Sequence, residues 1–309
     1  PGSSARADFT PWLVCDHALT VLPSLSSLTA LRRLAKRSTA PEPFIGWGNP
    51  VLTRNCGPVS IPGKCPDEDA KVAAAGNSAK RSTSTPSMIG VISRGGLADV
   101  VAIKSRMCPL PDTAYELKCV ARSLGAPASS VVLGTDMTET ALKKAPLERY
   151  RVVHFATHGL LASDTAQVAK DSAEPALVMS PPGRATEEDD GLLTASEVAE
   201  LKLNADWVVM SACNTAAGGS SSGEALSGLA RAFFYAGARA LLVSHWPVNS
   251  FSATVLTSRT FAELRKDKAI GRAEAFRRSM VALMHDHRWA AHPSIWAPFV
   301  VVGEGSVSR

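Results

Sequence analysis

Two residues with reactive side chains close two apolar runs. His158 follows Tyr150-Arg-Val-Val-His-Phe-Ala-Thr157, and Cys213 ends Asp206-Trp-Val-Val-Met-Ser-Ala-Cys213. A thiol becomes an effective nucleophile when an imidazolium, a helix N-terminus or backbone N–H groups stabilise its thiolate. An imidazole takes and returns protons near neutral pH, so the pair has what thioester chemistry at a peptide bond requires. Gly159, without a side chain, leaves its N–H open to a developing oxyanion, and the Cys213 N–H is the expected second donor. The loop at 214–223 is rich in Gly and Ser, which lets a substrate backbone come close.

Other candidates lack such a setting. His154 lies four residues before His158, on the same face of its strand but inside the sheet, and reads as a core histidine or one that supports the site from behind. His245, His285, His287 and His292 do not end apolar runs in the same way. Gly219-Ser-Ser-Ser-Gly223 matches G-x-S-x-G in letters. A nucleophile elbow, however, needs a strand leading straight into the serine, and here the strand ends earlier, at Cys213, so Ser221 is set aside. The six cysteines (15, 56, 65, 108, 119 and 213) form no C-x-x-C pair and no zinc-ligand spacing, so no metal or other cofactor is expected.

The elements that must position His158 and Cys213 alternate along the chain. The sequence predicts strands at 44–48, 130–133, 150–157, 206–213, 240–244 and 299–302. Helices are predicted at 23–34, 112–125, 138–145, 224–236, 252–266 and 270–286. In 224–236, Leu226, Leu229, Ala230 and Phe233 recur at i, i+3, i+4 and i+7, and Gly237 follows as a stop. The near-continuous apolar strands suit a sheet covered on both faces. Strand–helix alternation makes that sheet mostly parallel, and chemistry in such sheets gathers beyond the C-terminal strand ends. The expected organisation is an N-terminal part at 1–57, a mobile insertion at 58–87 poor in apolar residues, and a core at 88–309. Lys80-Arg81 within the insertion is a candidate processing point.

Composition narrows the classes of function. At 309 residues and 45% hydrophobic content, with no unbroken apolar stretch of the roughly 20 residues a bilayer needs, the chain reads as globular and not membrane-spanning. Its net charge of +5 is uneven: residues 1–106 hold 13 Lys and Arg against 7 Asp and Glu, whereas 107–309 hold 20 against 21. The excess lies away from the motifs, without interleaved aromatics, so direct nucleic-acid binding is not expected. Pro1-Gly2-Ser3-Ser4 is expected to be a fragment edge rather than a signal peptide. Without a leader, the cysteines are expected to be reduced thiols in a cytoplasmic protein.

A series of blocks resembles one known family. His154-Phe-Ala-Thr-His-Gly159, Asp190-Gly-Leu-Leu-Thr-Ala-Ser-Glu197, Val209-Met-Ser-Ala-Cys-Asn-Thr215, Gly223-Glu-Ala-Leu-Ser-Gly-Leu-Ala-Arg-Ala-Phe233, Ser244-His-Trp-Pro-Val248 and Trp296-Ala-Pro-Phe-Val300 are similar to the successive blocks of CHAT domains, bacterial relatives of caspases and separases. The resemblance implies a three-layer α/β/α caspase-like fold with a mostly parallel central sheet. It also implies a cysteine endopeptidase with a Cys213–His158 dyad, acting on a specific protein substrate in regulated bacterial signalling or defence. The alternative is a non-catalytic caspase-like interaction module. Such domains often follow helical repeats, so a TPR-like sensor or regulator is expected on a missing segment or another chain. Asp190, His245, Trp246 and Asn249 are the expected substrate-binding positions. Relatives commonly carry Asp where this chain has Asn249, which removes a reason to prefer a basic P1 residue. The acidic run Glu187-Glu188-Asp189-Asp190 is expected to be a solvated loop, or else a source of compensating negative potential.

Overall fold

The computed structural model describes residues 12–22, 37–66, 97–166, 168–169, 174–212, 228–246, 248–286 and 288–306. Six strands form the main sheet: β1 (Ile45–Gly48), β2 (Val131–Leu133), β3 (Val152–Ala156), β7 (Trp207–Met210), β8 (Ala240–Ser244) and β9 (Phe299–Gly303). Their order is β2-β1-β3-β7-β8-β9, and every neighbouring pair is parallel except β8–β9. Three further strands, β4 (Gly159–Leu160), β5 (Ala176–Val178) and β6 (Leu192–Thr194), form a separate antiparallel sheet.

Successive side chains of a strand point to opposite faces, and the core divides accordingly. Val153, Phe155, Val208, Met210, Leu241 and Val243 pack with Val198, Leu229 and Phe233, from the helices Ala195–Glu200 and Gly228–Tyr235. Val152, Ala156, Trp207, Val209, Leu242 and Val301 pack with Leu117, Val255 and Phe276, from the helices Pro111–Leu124, Ser250–Lys266 and Arg272–Asp286. The expected three-layer α/β/α arrangement around a mostly parallel sheet is therefore present. A smaller core under β4–β6 gathers Leu160, Ala176, Val178 and Leu192 with Ile103 and Met107.

Local chemistry sets the helix ends. The helix Pro111–Leu124 begins with proline, whose missing N–H costs nothing in the first turn, and stops at Gly125, which adopts φ 69° and returns its N–H to the carbonyls of Ala121 and Arg122. Asn249 caps the helix Ser250–Lys266 by accepting the Ser252 N–H at 3.1 Å. In the helix Ala195–Glu200, Thr194 and Glu197 satisfy each other's backbone N–H groups.

Several expectations meet a different outcome. The cysteines expected to be reduced include two disulfides, Cys56–Cys108 and Cys65–Cys119, with Cα separations of 5.7 and 5.4 Å, and Cys15 is a free thiol. The first residues of the expected mobile insertion, 58–66, carry no helix or strand but are fastened to the helix Pro111–Leu124. Cys65 is bonded to Cys119, and the Tyr115 hydroxyl donates to the Lys64 carbonyl at 2.6 Å. The rest of the insertion, Lys80-Arg81 included, and the helix expected at 23–34 lie outside the described residues. Among the described residues no helix is long and apolar enough to cross a membrane.

Candidate functional site

His158 leaves the C-terminal end of β3, two residues past Ala156, and enters β4. Its half-buried imidazole reaches the loop before the helix Pro111–Leu124, with Nε2 2.8 Å from the Cys108 carbonyl oxygen. A carbonyl only accepts, so Nε2 carries the proton and donates it, and in the neutral ring Nδ1 holds the lone pair. Cys108 is itself tied to Cys56. The carbonyl that sets the tautomer thus belongs to a covalently anchored residue. A backbone acceptor has no side-chain signature, and Cys108 reads in the sequence as an ordinary thiol.

The backbone around His158 is held from several sides. The Thr157 hydroxyl donates to the Val178 carbonyl at 2.6 Å, and the Val178 N–H donates to the His158 carbonyl at 2.9 Å. The latter bond makes His158/Val178 a hydrogen-bonded antiparallel pair, so its neighbour Gly159/Leu177 is of the other type. The Gly159 N–H is therefore directed away from β5.

Behind the site, His154 is fully buried, as expected for a core histidine. Its Nε2 lies 3.1 Å from Glu116 Oε1, itself wholly buried, and its ring meets Phe44 edge-on. Glu116 lies on the helix Pro111–Leu124, the same element whose N-terminal approach carries Cys108.

β7 runs beside β3 with His154 opposite Val209 and Phe155 opposite Met210. The ladder continues one residue further, since the Ser211 N–H donates to the Phe155 carbonyl at 2.8 Å. Ala212 is fully buried, and its carbonyl accepts a hydrogen bond from the Ser244 hydroxyl at the end of β8. Cys213 and the loop to 227, with Ser221, lie outside the described residues.

Of the expected substrate-binding positions, His245 and Trp246 follow β8 at the same C-terminal sheet edge. Both are exposed, and their rings stack with centroids 6.2 Å apart. Partial desolvation lowers the His245 pKa below the ordinary histidine value. Asn249 is buried, and its side-chain oxygen is engaged in the helix cap. Asp190 accepts the N–H groups of Ala98 at 2.8 Å and Leu192 at 3.1 Å, one on each oxygen. Burial raises its pKa, and those two hydrogen bonds oppose the rise.

The acidic run is only half solvated. Glu187 and Glu188 are exposed, but Asp189 is buried and accepts from the Thr140 N–H and hydroxyl. Among the described residues no cluster of three or more His, Cys, Asp or Glu is arranged to hold a metal ion.

The chain is 26% identical to tetratricopeptide repeat protein 28 of Mus musculus over 244 residues, and 26% identical to its Homo sapiens counterpart over 248. Each match takes in 72% of this chain and 10% of the relative, so the chain spans about a tenth of the length of these proteins. Among solved structures, the Arg-specific cysteine proteinase gingipain R aligns over 62% of this chain and 42% of its own, at 12% identity and a TM-score of 0.41. A complex of Porphyromonas gingivalis RgpB pro- and mature domains aligns over 65% and 44%, at 11% identity and the same TM-score. The CHAT domain model matches residues 3–304, nearly the whole length, and the chain belongs to the CHAT domain family.

Proposed function

We propose that this chain is a cysteine endopeptidase in which Cys213 attacks the scissile carbonyl and His158 carries the proton. The observation that carries the reading is the tautomer: the Cys108 carbonyl accepts a hydrogen bond from Nε2–H, which leaves Nδ1 as the basic nitrogen of the ring. The register supports the partner. Ala212, the residue before Cys213, ends the described part of this chain segment at the C-terminal sheet edge from which His158 emerges, one residue past the Ser211 N–H that bonds the Phe155 carbonyl.

The thiol of Cys213 gives its proton to His158 Nδ1, and the thiolate adds to the carbonyl carbon. The resulting oxyanion is stabilised by the N–H groups of Gly159 and Cys213. On collapse the C–N bond breaks, the amine leaves with the proton from His158, and a thioester remains on sulfur. Water, deprotonated by His158, then adds to the thioester. The products are a carboxylate and the regenerated thiol.

His245 and Trp246 are proposed to contact the substrate chain on either side of the scissile bond, with Asp190 and Asn249 shaping that surface from within. Tetratricopeptide repeats in the relatives' name support a repeat-bearing sensor or regulator as partner. Two disulfides fit an oxidising environment better than the cytoplasm.

The test is labelling with a thiol-reactive peptide probe, together with N-terminal profiling of a proteome treated with wild-type or Cys213→Ala protein. New N-termini that depend on Cys213, and labelling that falls by about 10²–10⁴ in His158→Ala, are expected. Cleavage that persists in Cys213→Ala refutes the reading. No labelling of Cys213 under any condition leaves the caspase-like interaction module in its place.

A further inference from the structure

At the N-terminal edge of the main sheet, a half-open hollow of about 460 Å³ lies between the C-terminal ends of the helices Pro111–Leu124 and Ser250–Lys266. Its size is that of a small-molecule site. It lies at the other end of β3 from His158, roughly 20 Å away at the rise of an extended strand. It therefore belongs to no part of the peptidase reading.

The lining is charged almost entirely in one sense. Among the described lining residues Arg37, Arg151, Arg265, Lys268 and Arg272 contribute five cations, and Asp206 is the one carboxylate. Asp206 is already engaged: its Oδ1 accepts the Ser38 N–H at 3.0 Å and lies 3.5 Å from an Arg272 nitrogen. Arg37, Arg265 and Lys268 form an exposed rim, whereas Arg272 is only 5% exposed. Burial lowers the Arg272 pKa, Asp206 and Glu304 oppose the shift, and the charges of Arg239 and Arg37 add to it. Arg272 thus stands in the wall of the hollow with Arg239 and Arg37 close enough to act on it, while Asp206 and Glu304 answer part of that charge.

A second observation points the same way. Two residues of the lining carry a buried N–H without an acceptor: Arg151 through Nε and Trp207 through Nε1. Buried polar groups are satisfied in most proteins, so two orphan donors in the wall of one cationic hollow mark a place where the chain's own acceptors fall short. Guanidinium forks match phosphate oxygens in pairs. An excess of four positive charges around so small a volume calls for dense negative charge on few atoms.

We infer that this hollow binds a small polyanion of the oligophosphate class. The rim cations draw the anion in, and Arg151 and Arg272 hold its inner oxygens.

Inorganic tripolyphosphate titrated into the full chain by calorimetry tests this. Binding is expected to weaken between 50 and 300 mM NaCl as screening shortens, and at least tenfold in the Arg151→Gln/Lys268→Gln double variant with its circular dichroism unchanged. Should the double variant fail to fold, Lys268→Gln alone, an exposed substitution, is expected to weaken binding about threefold, since removing one of several charges costs only a fraction of the total. No binding of tripolyphosphate at millimolar concentration by the wild type, or equal affinity in the folded variants, overturns the inference.

Discussion

The state of the His158 ring depends on an atom that has no identity in the sequence. Nε2–H donates to the Cys108 carbonyl, and Cys108 is clamped to Cys56 across 52 residues of chain. Opening that bond lets the loop before the helix Pro111–Leu124 move and takes the orienting acceptor with it. Cys65–Cys119 closes a loop of nearly the same length, 54 residues, without touching His158. In the chain-entropy picture each disulfide contributes about 4 kcal/mol. Cys56→Ser and Cys65→Ser should therefore lower the melting temperature by similar amounts. The labelling rate at Cys213, and its pH profile, should change by roughly ten- to hundredfold only in Cys56→Ser, as expected of a small misplacement of a catalytic group. Equal rates in the two variants would leave the disulfide without a role in positioning. At this scale the sequence pointed to His158 and Cys213, because side-chain types are chemical information. It hid the disulfide partners, which lie some fifty positions apart, and the backbone carbonyl, which every residue has.

Elements were more legible than contacts. The strands at 44–48, 130–133, 150–157, 240–244 and 299–302 and the helices at 112–125, 138–145, 252–266 and 270–286 match the structure to within a few residues, most of them because they bury a periodic apolar face. The three-stranded sheet escaped notice because β4 has two residues and β5 and β6 have three each, too short for any alternation to register. The stop predicted at Gly237 is real and steric. This residue sits at φ 112°, and a Cβ there would lie 2.3 Å from the Leu203 carbonyl oxygen. Gly237→Ala should cost about 1–3 kcal/mol or more, read as a lower denaturation midpoint at unchanged m-value. Gly125→Ala, in open space at φ 69°, should cost less.

At the scale of the whole molecule, charge buried between layers makes stability depend on pH. Glu139 is 1% exposed, and its Oε1 receives the N–H groups of Asp190 and Gly191. Burial first, then the charge of Glu197, raises its pKa to about 7, with Lys143 pulling it down. The folded chain therefore holds this proton between about pH 4.5 and 7 while the unfolded chain has lost it. The contribution of Glu139 to stability falls as pH rises through that window. Glu139→Gln keeps an oxygen for the two N–H groups and removes the titration. Its melting temperature should decline less than that of wild type between pH 5 and 7.5, and parallel curves would reject the assignment.

The order of the strands has a consequence in time. β9 is the antiparallel edge of the sheet, and it joins not only β8 but also the first described segment: Val21 bridges Val302, and the Thr20 hydroxyl donates to the carbonyls of Val301, 281 positions away, and Gly303. During synthesis β8 emerges with its flank unpaired and its five residues fully apolar or buried. It must wait for nearly sixty more residues before its last partner arrives. A nascent chain stalled in that interval presents an open strand edge, the surface on which one polypeptide adheres to the next.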